Sequence, residues 1–448
     1  MGIDRRGAMY KHTLKSKQKL SSNVYSMEEE YMKIRGKKIV ITLVALSMVF
    51  GMMLQPAAAQ VKITMWSLFS GGEGYIMSDL IARFNAEHPD IVIEEQLIEW
   101  AQYYNKLLTG LLSGEAPDIG IMHLAVLPDY ASRGVLSPIE GMIPADFTDK
   151  FLANIIEKAY YDGHLFAVPI DTHPMVMYYN KKTIKEAGLV DAKGDVLVPK
   201  TWDELMEYAK KVKEATGKWG FTAENTNTGA MVAERLWIAL YSQFGAAFLD
   251  PATGKLAVDV EKAAKAYETI ASIYQAEVGP APIDYAEGET LFVNGGTAYH
   301  LNGVWAMAVY PETEGLEFGV TSLPALEGSK PYTWGDSHSF VFPKKGDDAK
   351  LKAALTFAQW FSEHTMEWAK AGHLPVNKAV MESEEFMNLP MRKDYVAVGA
   401  TAILAPSVKG WSQIREEMWE IGQRVVLGEL TPQAAAEELK QKIEELSE

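Results

Sequence analysis

The sequence predicts an α/β fold with a doubly wound parallel sheet, on three observations. Apolar segments of period two alternate with segments of helical period in the order β-α-β-α-β. At 448 residues the chain is long enough for two or three lobes. It contains no cysteine and no repeat or heptad run, which excludes a disulfide scaffold, a Cys nucleophile and thiolate metal sites.

The elements follow in order. Residues 1–31 are polar and Lys-rich and read as a disordered leader or a mis-assigned start. Residues 32–59 read as a signal peptide: Lys33, Arg35, Lys37 and Lys38, then an apolar run from Ile39 to Leu54, then Ala57-Ala58-Ala59. Cleavage is expected after Ala59, and with no Cys for lipidation a soluble periplasmic protein is expected. A membrane anchor is the weaker reading, because the run is shorter than the ~20 residues of a span and Thr42, Ser47 and Gly51 interrupt it.

Val61 to Trp66 alternates and predicts a strand, which Gly71-Gly72 breaks. Ile76, Leu80, Ile81 and Phe84 predict a helix, stopped at His88-Pro89. Ile91-Val92-Ile93 is a second strand. Tyr104, Leu107, Leu108, Leu111 and Leu112 mark a second helix, and Asp118 to Met122 a third strand. In such sheets ligands sit beyond the carboxyl ends of the strands, here after Trp66 and after Met122. Thr201 with Glu204 predicts a capping box, and Thr431-Pro432 opens a last helix with Ala435, Ala436, Leu439 and Ile443 on its apolar face.

Charge narrows the partners. Residues 1–59 carry ten Lys/Arg and four Asp/Glu; the remaining 389 carry 33 and 55, a net of −22, together with all 11 Trp. An acidic body repels nucleic acid and anionic membranes. No nucleophile elbow, zincin motif, phosphate loop or dinucleotide fingerprint is present, and no His pair has ligand spacing within a helix. No cofactor, metal or catalytic residue is therefore predicted.

What stands out is aromatic and polar residues together at strand–loop junctions: Trp66-Ser67, Asp171-Thr172-His173, Asn302-Gly303-Val304-Trp305 and Trp334-Gly335-Asp336. Sugars are held by such sets, because their C–H faces stack on rings and their hydroxyls need neutral or acidic hydrogen-bond partners.

Six degenerate segments in order carry a resemblance: Leu111 to Ile119, Ala131 to Ile139, Tyr161 to Leu189, Pro199 to Leu205, Val293 to Trp305 and Gly428 to Ala435. From about Val61 to Leu446 the chain resembles the extracellular solute-binding proteins of ABC importers, the sugar-binding family that includes maltose-binding protein. The resemblance implies two doubly wound α/β lobes joined by a multi-strand hinge around a ligand cleft. Lobe one is expected at 60–170 and 334–376, lobe two at 171–333 and 377–448. It implies a sugar or oligosaccharide ligand, a membrane permease as partner, a monomer and no reaction.

The family places a sugar-stacking Trp after its "G-x", which is Trp305 here. Ser67, Trp66, His123, Asp171, His173, Asn302, Trp334 and Asp336 are further expected ligand contacts, with Trp237, Trp411 and Glu234 as weaker ones. Trp202, Trp219, Trp360 and Trp368 are expected in the core or on helix faces. Two departures stand out. His123-Leu124-Ala125 replaces an acidic sugar-gripping residue of maltose-type members, and Tyr299-His300 replaces small residues before Gly303. Two rivals remain. One is a receptor for another small solute such as glycerol phosphate, disfavoured by only six Arg after residue 59. The other is a secreted carbohydrate-active enzyme, which needs only a carboxylate pair.

Overall fold

The computed structural model describes residues 60–226 and 231–447. The expected leader, export signal and cleavage point lie outside them. Strand β1 (Val61–Ser67) buries Ile63, Met65 and Ser67, the alternation seen in the sequence. Helix α1 (Gly71–Glu87) buries Met77, Leu80, Ile81 and Phe84. The Gly71-Gly72 pair opens this helix rather than separating it from the strand. A Cβ on Gly72 would lie 2.7 Å from the Ala308 carbonyl oxygen, so the helix start sits hard against that backbone.

Strand β2 (Ile91–Leu97) follows, then helix α2 (Trp100–Ser113) and strand β3 (Ile119–His123). The inward face of α2 is Tyr103, Leu107, Gly110 and Leu111, while Leu112 is exposed. The face is turned about one residue from the one expected, because Tyr103 sends its hydroxyl into the sheet to donate to the Ile121 carbonyl. Strand β4 (Ala167–Pro169) ends the first run of sheet residues, and the chain then enters strand β5 (Met175–Asn180) of a second sheet.

Helix α3 (Trp202–Thr216) opens with the expected capping box: Thr201 Oγ1 accepts from the Glu204 N–H, and Glu204 Oε2 accepts from the Thr201 N–H, both at 3.2 Å. Strand β6 (Trp219–Thr222) leads to a π-helical turn at Met231–Leu236 that runs into helix α4 (Trp237–Gln243). Helices α5 (Val260–Gln275) and α6 (Tyr285–Val293) precede strands β7 (Thr297–Gly303) and β8 (Phe318–Thr321). Strand β9 (His338–Val341) returns to the first sheet, and helices α7 (Asp348–Glu363), α8 (Trp411–Val426) and α9 (Pro432–Ser447) complete the chain. Thr431 Oγ1 accepts from the Ala434 N–H at the start of α9.

The first sheet has the order β2-β1-β3-β9-β4 and the second β8-β5-β7-β6. Strands β1, β2 and β3 are parallel, as the crossover helices require. The sheets are nevertheless mixed: β9 runs antiparallel to β3 and β4, and β5 antiparallel to β7 and β8. Strands buried on both faces carry the same apolar run in either direction, so the sequence did not reveal this.

Three segments connect the sheets and the helices packed on them: Asp171–Thr172, Thr333–Trp334 and Leu374–Pro375. Asp171–Thr172 pairs antiparallel with Leu374–Pro375, and Thr333–Trp334 pairs parallel with Ala402–Ile403 just before β9. One core lies around the first sheet, a second around β5, β7 and helices α3 to α5, α8 and α9. A third joins Val176, Tyr178, Val304 and Tyr310 to Ala369, Leu374, Phe386 and Tyr395. From Val61 onward the chain is one compact unit. Among the described residues no helix is long and apolar enough to cross a membrane.

Candidate functional site

The polar residues of the junctions converge where the three connecting segments meet. Asp171 is fully buried and gathers donors from all sides. His173 Nδ1 lies 3.0 Å from Oδ1, His338 Nδ1 lies 2.9 Å from Oδ2, and the Trp368 indole N–H donates to Oδ2 over 2.7 Å. Burial opposes the charge of Asp171, but the His338 and His373 rings outweigh it and hold the carboxyl well below the usual range. His173 stacks on His338 at 3.9 Å, and burial pushes it down to about 3, so its ring is neutral.

His123, at the end of β3, adds a ring from the first sheet 5.2 Å from His173. The Tyr104 hydroxyl accepts from the His123 backbone N–H and lies 2.5 Å from its Nδ1. The hydroxyl proton therefore goes to Nδ1. Burial holds this imidazole well below its ordinary range, which leaves Nε2–H as a donor.

Two tryptophans form the other wall. Trp305 is half-buried and follows β7; Trp334 lies before β9 and is buried. Their rings are 6.1 and 5.8 Å from His173. The Arg235 guanidinium lies over both, 5.3 Å from the Trp305 ring and 4.5 Å from that of Trp334. The Trp305 indole N–H donates to the Tyr285 hydroxyl over 3.1 Å. Asn302 is fully enclosed; its amide donates to Glu289 over 2.6 Å and to the Tyr310 hydroxyl over 3.2 Å. It positions the tyrosines behind Trp305 and has no open face.

Acidic groups complete the wall. Asp336 Oδ1 accepts from the backbone N–H groups of Ala125 and Ser337, while Oδ2 is buried without a partner. Burial pushes its carboxyl up to about 6. Glu224 is pushed up to about 7 by burial, against the pull of Arg235. Behind them Glu234 forms a two-point ion pair with Arg415, 2.6 and 3.2 Å, and accepts from the Trp419 indole over 2.7 Å. The arrangement offers aromatic faces, neutral imidazoles and carboxyls poised to donate or accept, which suits a polyhydroxylated ligand.

Not every expected residue belongs here. Trp237 and Trp411 lie in the second core: Trp237 stacks on Tyr241 at 4.8 Å, and Trp411 meets Phe248 edge-on at 4.9 Å. Helix α4 is buried along its whole length, and α8 turns Trp411 inward on the same face as Ile414, Met418 and Ile421. Trp66 faces a separate hollow with Thr64, Gln96, Ala116 and Lys345, under the Lys106 ammonium at 4.7 Å. Ser67 is enclosed, its Oγ accepting from the Phe69 N–H. Glu224, Arg235, Tyr104, Tyr285, His338 and His373 were not singled out by sequence as ligand contacts. They come from helices and distant loops, and the only signal was the histidine in Ser337-His338 and Gly372-His373, adjacent to predicted crossings.

Comparison with known proteins agrees with this architecture. A family model described as bacterial extracellular solute-binding protein matches residues 79–393. The maltotriose-binding protein of Pyrococcus abyssi is 24% identical over 340 residues, covering 74% of this chain and 70% of that protein. The arabinooligosaccharide-binding protein of Bacillus subtilis is 26% identical over 387 residues, covering 81% and 86%. The GacH receptor of Streptomyces glaucescens, solved unliganded and with acarbose, superposes with a TM-score of 0.77 at 20% identity, over 87% of this chain and 98% of that one.

Proposed function

The chain belongs to the bacterial extracellular solute-binding proteins, and on that premise we propose that it captures a sugar or oligosaccharide and delivers it to the permease of an ABC importer. It is a binding protein, not an enzyme. The observation that carries the sugar reading is the set formed by Trp305, Trp334, His123, His173 and Asp336: two indole faces beside neutral or near-neutral hydrogen-bonding groups. The related proteins named for maltotriose and arabinooligosaccharide support it.

The lobes are 60–170 with 334–376 and 171–333 with 377–448, hinged where the three connecting segments meet. The Asp129 carboxylate accepts from the backbone N–H groups of Gly410 and Ser412 at the start of α8, 2.5 and 3.0 Å away, a contact suited to holding the lobes together. Lys158 adds a bond to the Ala405 carbonyl at 2.9 Å. The protein acts as an exported monomer without a lipid anchor. N-terminal sequencing of the exported form is expected to read from Gln60; retention of residues 1–59 would show an uncleaved anchor.

A thermal-shift screen over a sugar panel tests the function. The cognate sugar stabilises by about 2.7 kcal/mol at a hundredfold excess over its dissociation constant, and small-angle scattering should then show a smaller radius of gyration. A panel with no stabilising sugar, or a tight ligand that leaves the scattering curve unchanged, would overturn the closing sugar receptor.

One observation favours a second reading. Among the described residues no carboxylate pairs with the Arg235 guanidinium, and its buried Nε has no partner. An acidic sugar or a sugar phosphate would meet that charge. A neutral sugar should bind with weak salt dependence, whereas a steep loss of affinity at high salt would identify an anionic ligand.

A further inference from the structure

We infer that Asp171, His173, His338 and His373 form a binding site for one divalent transition-metal ion of the zinc type, at the point where the three connecting segments meet. One coordinating atom from each of the four residues lies within 4.8 Å of all the others, and all four side chains are buried. The ring Nδ1 atoms of His173, His338 and His373 stand 3.0, 2.9 and 3.6 Å from the Asp171 carboxylate. Three imidazoles and one carboxylate are a set that tetrahedral zinc accepts, with bonds of about 2.0–2.2 Å. Such bonds place neighbouring ligand atoms about 3.4 Å apart, so the widest pair must draw in and the closest must part slightly.

Two buried ring nitrogens of the cluster have no hydrogen-bond partner. His373 Nε2 lies 2.5 Å from the Glu73 carboxylate and donates its proton there. Its Nδ1 is turned toward the Asp171 carboxylate, where a proton or a metal ion can stand between them. That atom is buried, has no hydrogen-bond partner, and faces a carboxylate oxygen at 3.6 Å. The buried Nε2 of His173 is likewise without a partner, so the cluster cannot satisfy all its nitrogens with the hydrogen bonds it has.

The surroundings match a built metal site. Glu73 orients His373 through the nitrogen remote from the cluster, the carboxylate–histidine relay that fixes metal-ligating imidazoles. The Trp368 indole N–H and the His338 backbone N–H hold the Asp171 carboxylate at 2.7 and 3.1 Å. A divalent ion with the Asp171 and Glu73 carboxylates and neutral rings leaves no net charge. Each crossing contributes: Asp171 and His173 at the first, His338 at the start of β9 beyond the second, His373 just before the third. A bound ion would tie the three together.

The test uses the purified protein in the absence of sugar, so that its failure is separate from failure of the sugar reading. After chelation and desalting, zinc is added and the protein passed through gel filtration. One equivalent of zinc should be retained, with a rise of several degrees in melting temperature that magnesium does not give. Cobalt in place of zinc should show the intense visible bands of a four-coordinate site. His338→Ala and His373→Gln should each weaken zinc retention at least tenfold, with circular dichroism showing whether each variant is folded. No retained zinc and a cobalt spectrum like the aqueous ion would overturn the site. Retention unchanged in both folded variants would place the metal elsewhere and equally overturn it. Should either variant fail to fold, the wild-type cobalt spectrum alone decides.

Discussion

Glu234→Ala is expected to destabilise the folded protein by about 3–5 kcal/mol. Glu234 and Arg415 are both buried, and their two-point bond is the contact that keeps the guanidinium charged in the interior. Burial works against that charge, and Glu234 outweighs it, so that Arg415 sits above the ordinary arginine range. Removing the carboxylate leaves an uncompensated charge and strands the Trp419 indole N–H that Glu234 also accepts. Urea unfolding should show a lower midpoint with an unchanged slope. Arg415→Met introduced into the Glu234→Ala background should recover part of the loss, because the desolvation penalty leaves with the charge. A single variant as stable as the parent would mean that water reaches Arg415.

How much of this was legible in the sequence follows from the range of the interactions. Local signals held: the alternation of Val61–Ser67, the capping box at Thr201 and Glu204, and the Thr431 cap all depend on residues a few positions apart. Strand direction was not legible for β5 and β9, because a strand enclosed on both faces shows no polarity. Among the candidate residues, those at strand ends and crossings, His123, Asp171, His173, Trp305, Trp334 and Asp336, come together around one point. Trp237 and Trp411 do not, because a tryptophan on an amphipathic helix reads alike whether it fills a core or lines a wall. The Asp171 cluster joins residues up to 202 positions apart, 171 to 373, each an unremarkable single histidine or aspartate until the segments meet. The argument against anions from a low Arg count also missed that burial, not number, decides what a guanidinium does: Arg235 and Arg415 are both enclosed.

Trp305→Ala is expected to weaken binding of the cognate sugar by about 2 kcal/mol or more, roughly thirtyfold, the size of a hot-spot truncation. The Trp305 ring is held from two sides: its N–H by the Tyr285 hydroxyl, its face by the Arg235 guanidinium. The third support is Gly303. A Cβ there would lie 1.9 to 2.1 Å from carbon atoms of the Trp305 ring, so the ring rests directly on the strand backbone. Gly303 has φ near −90°, a conformation any residue adopts, so the glycine is required by the ring and not by the chain. This gives a physical reason for the glycine two positions before the tryptophan. Gly303→Ala should therefore leave the strand paired yet evict the ring, and lower affinity about as much as Trp305→Ala itself. The double variant should be no weaker than either alone, since both remove one contact. Titration calorimetry with the sugar identified by the thermal screen, alongside circular dichroism of each variant, reads the effect. Full affinity in Trp305→Ala would return this residue to a packing role, and additive losses in the double variant would separate Gly303 from the ring it carries.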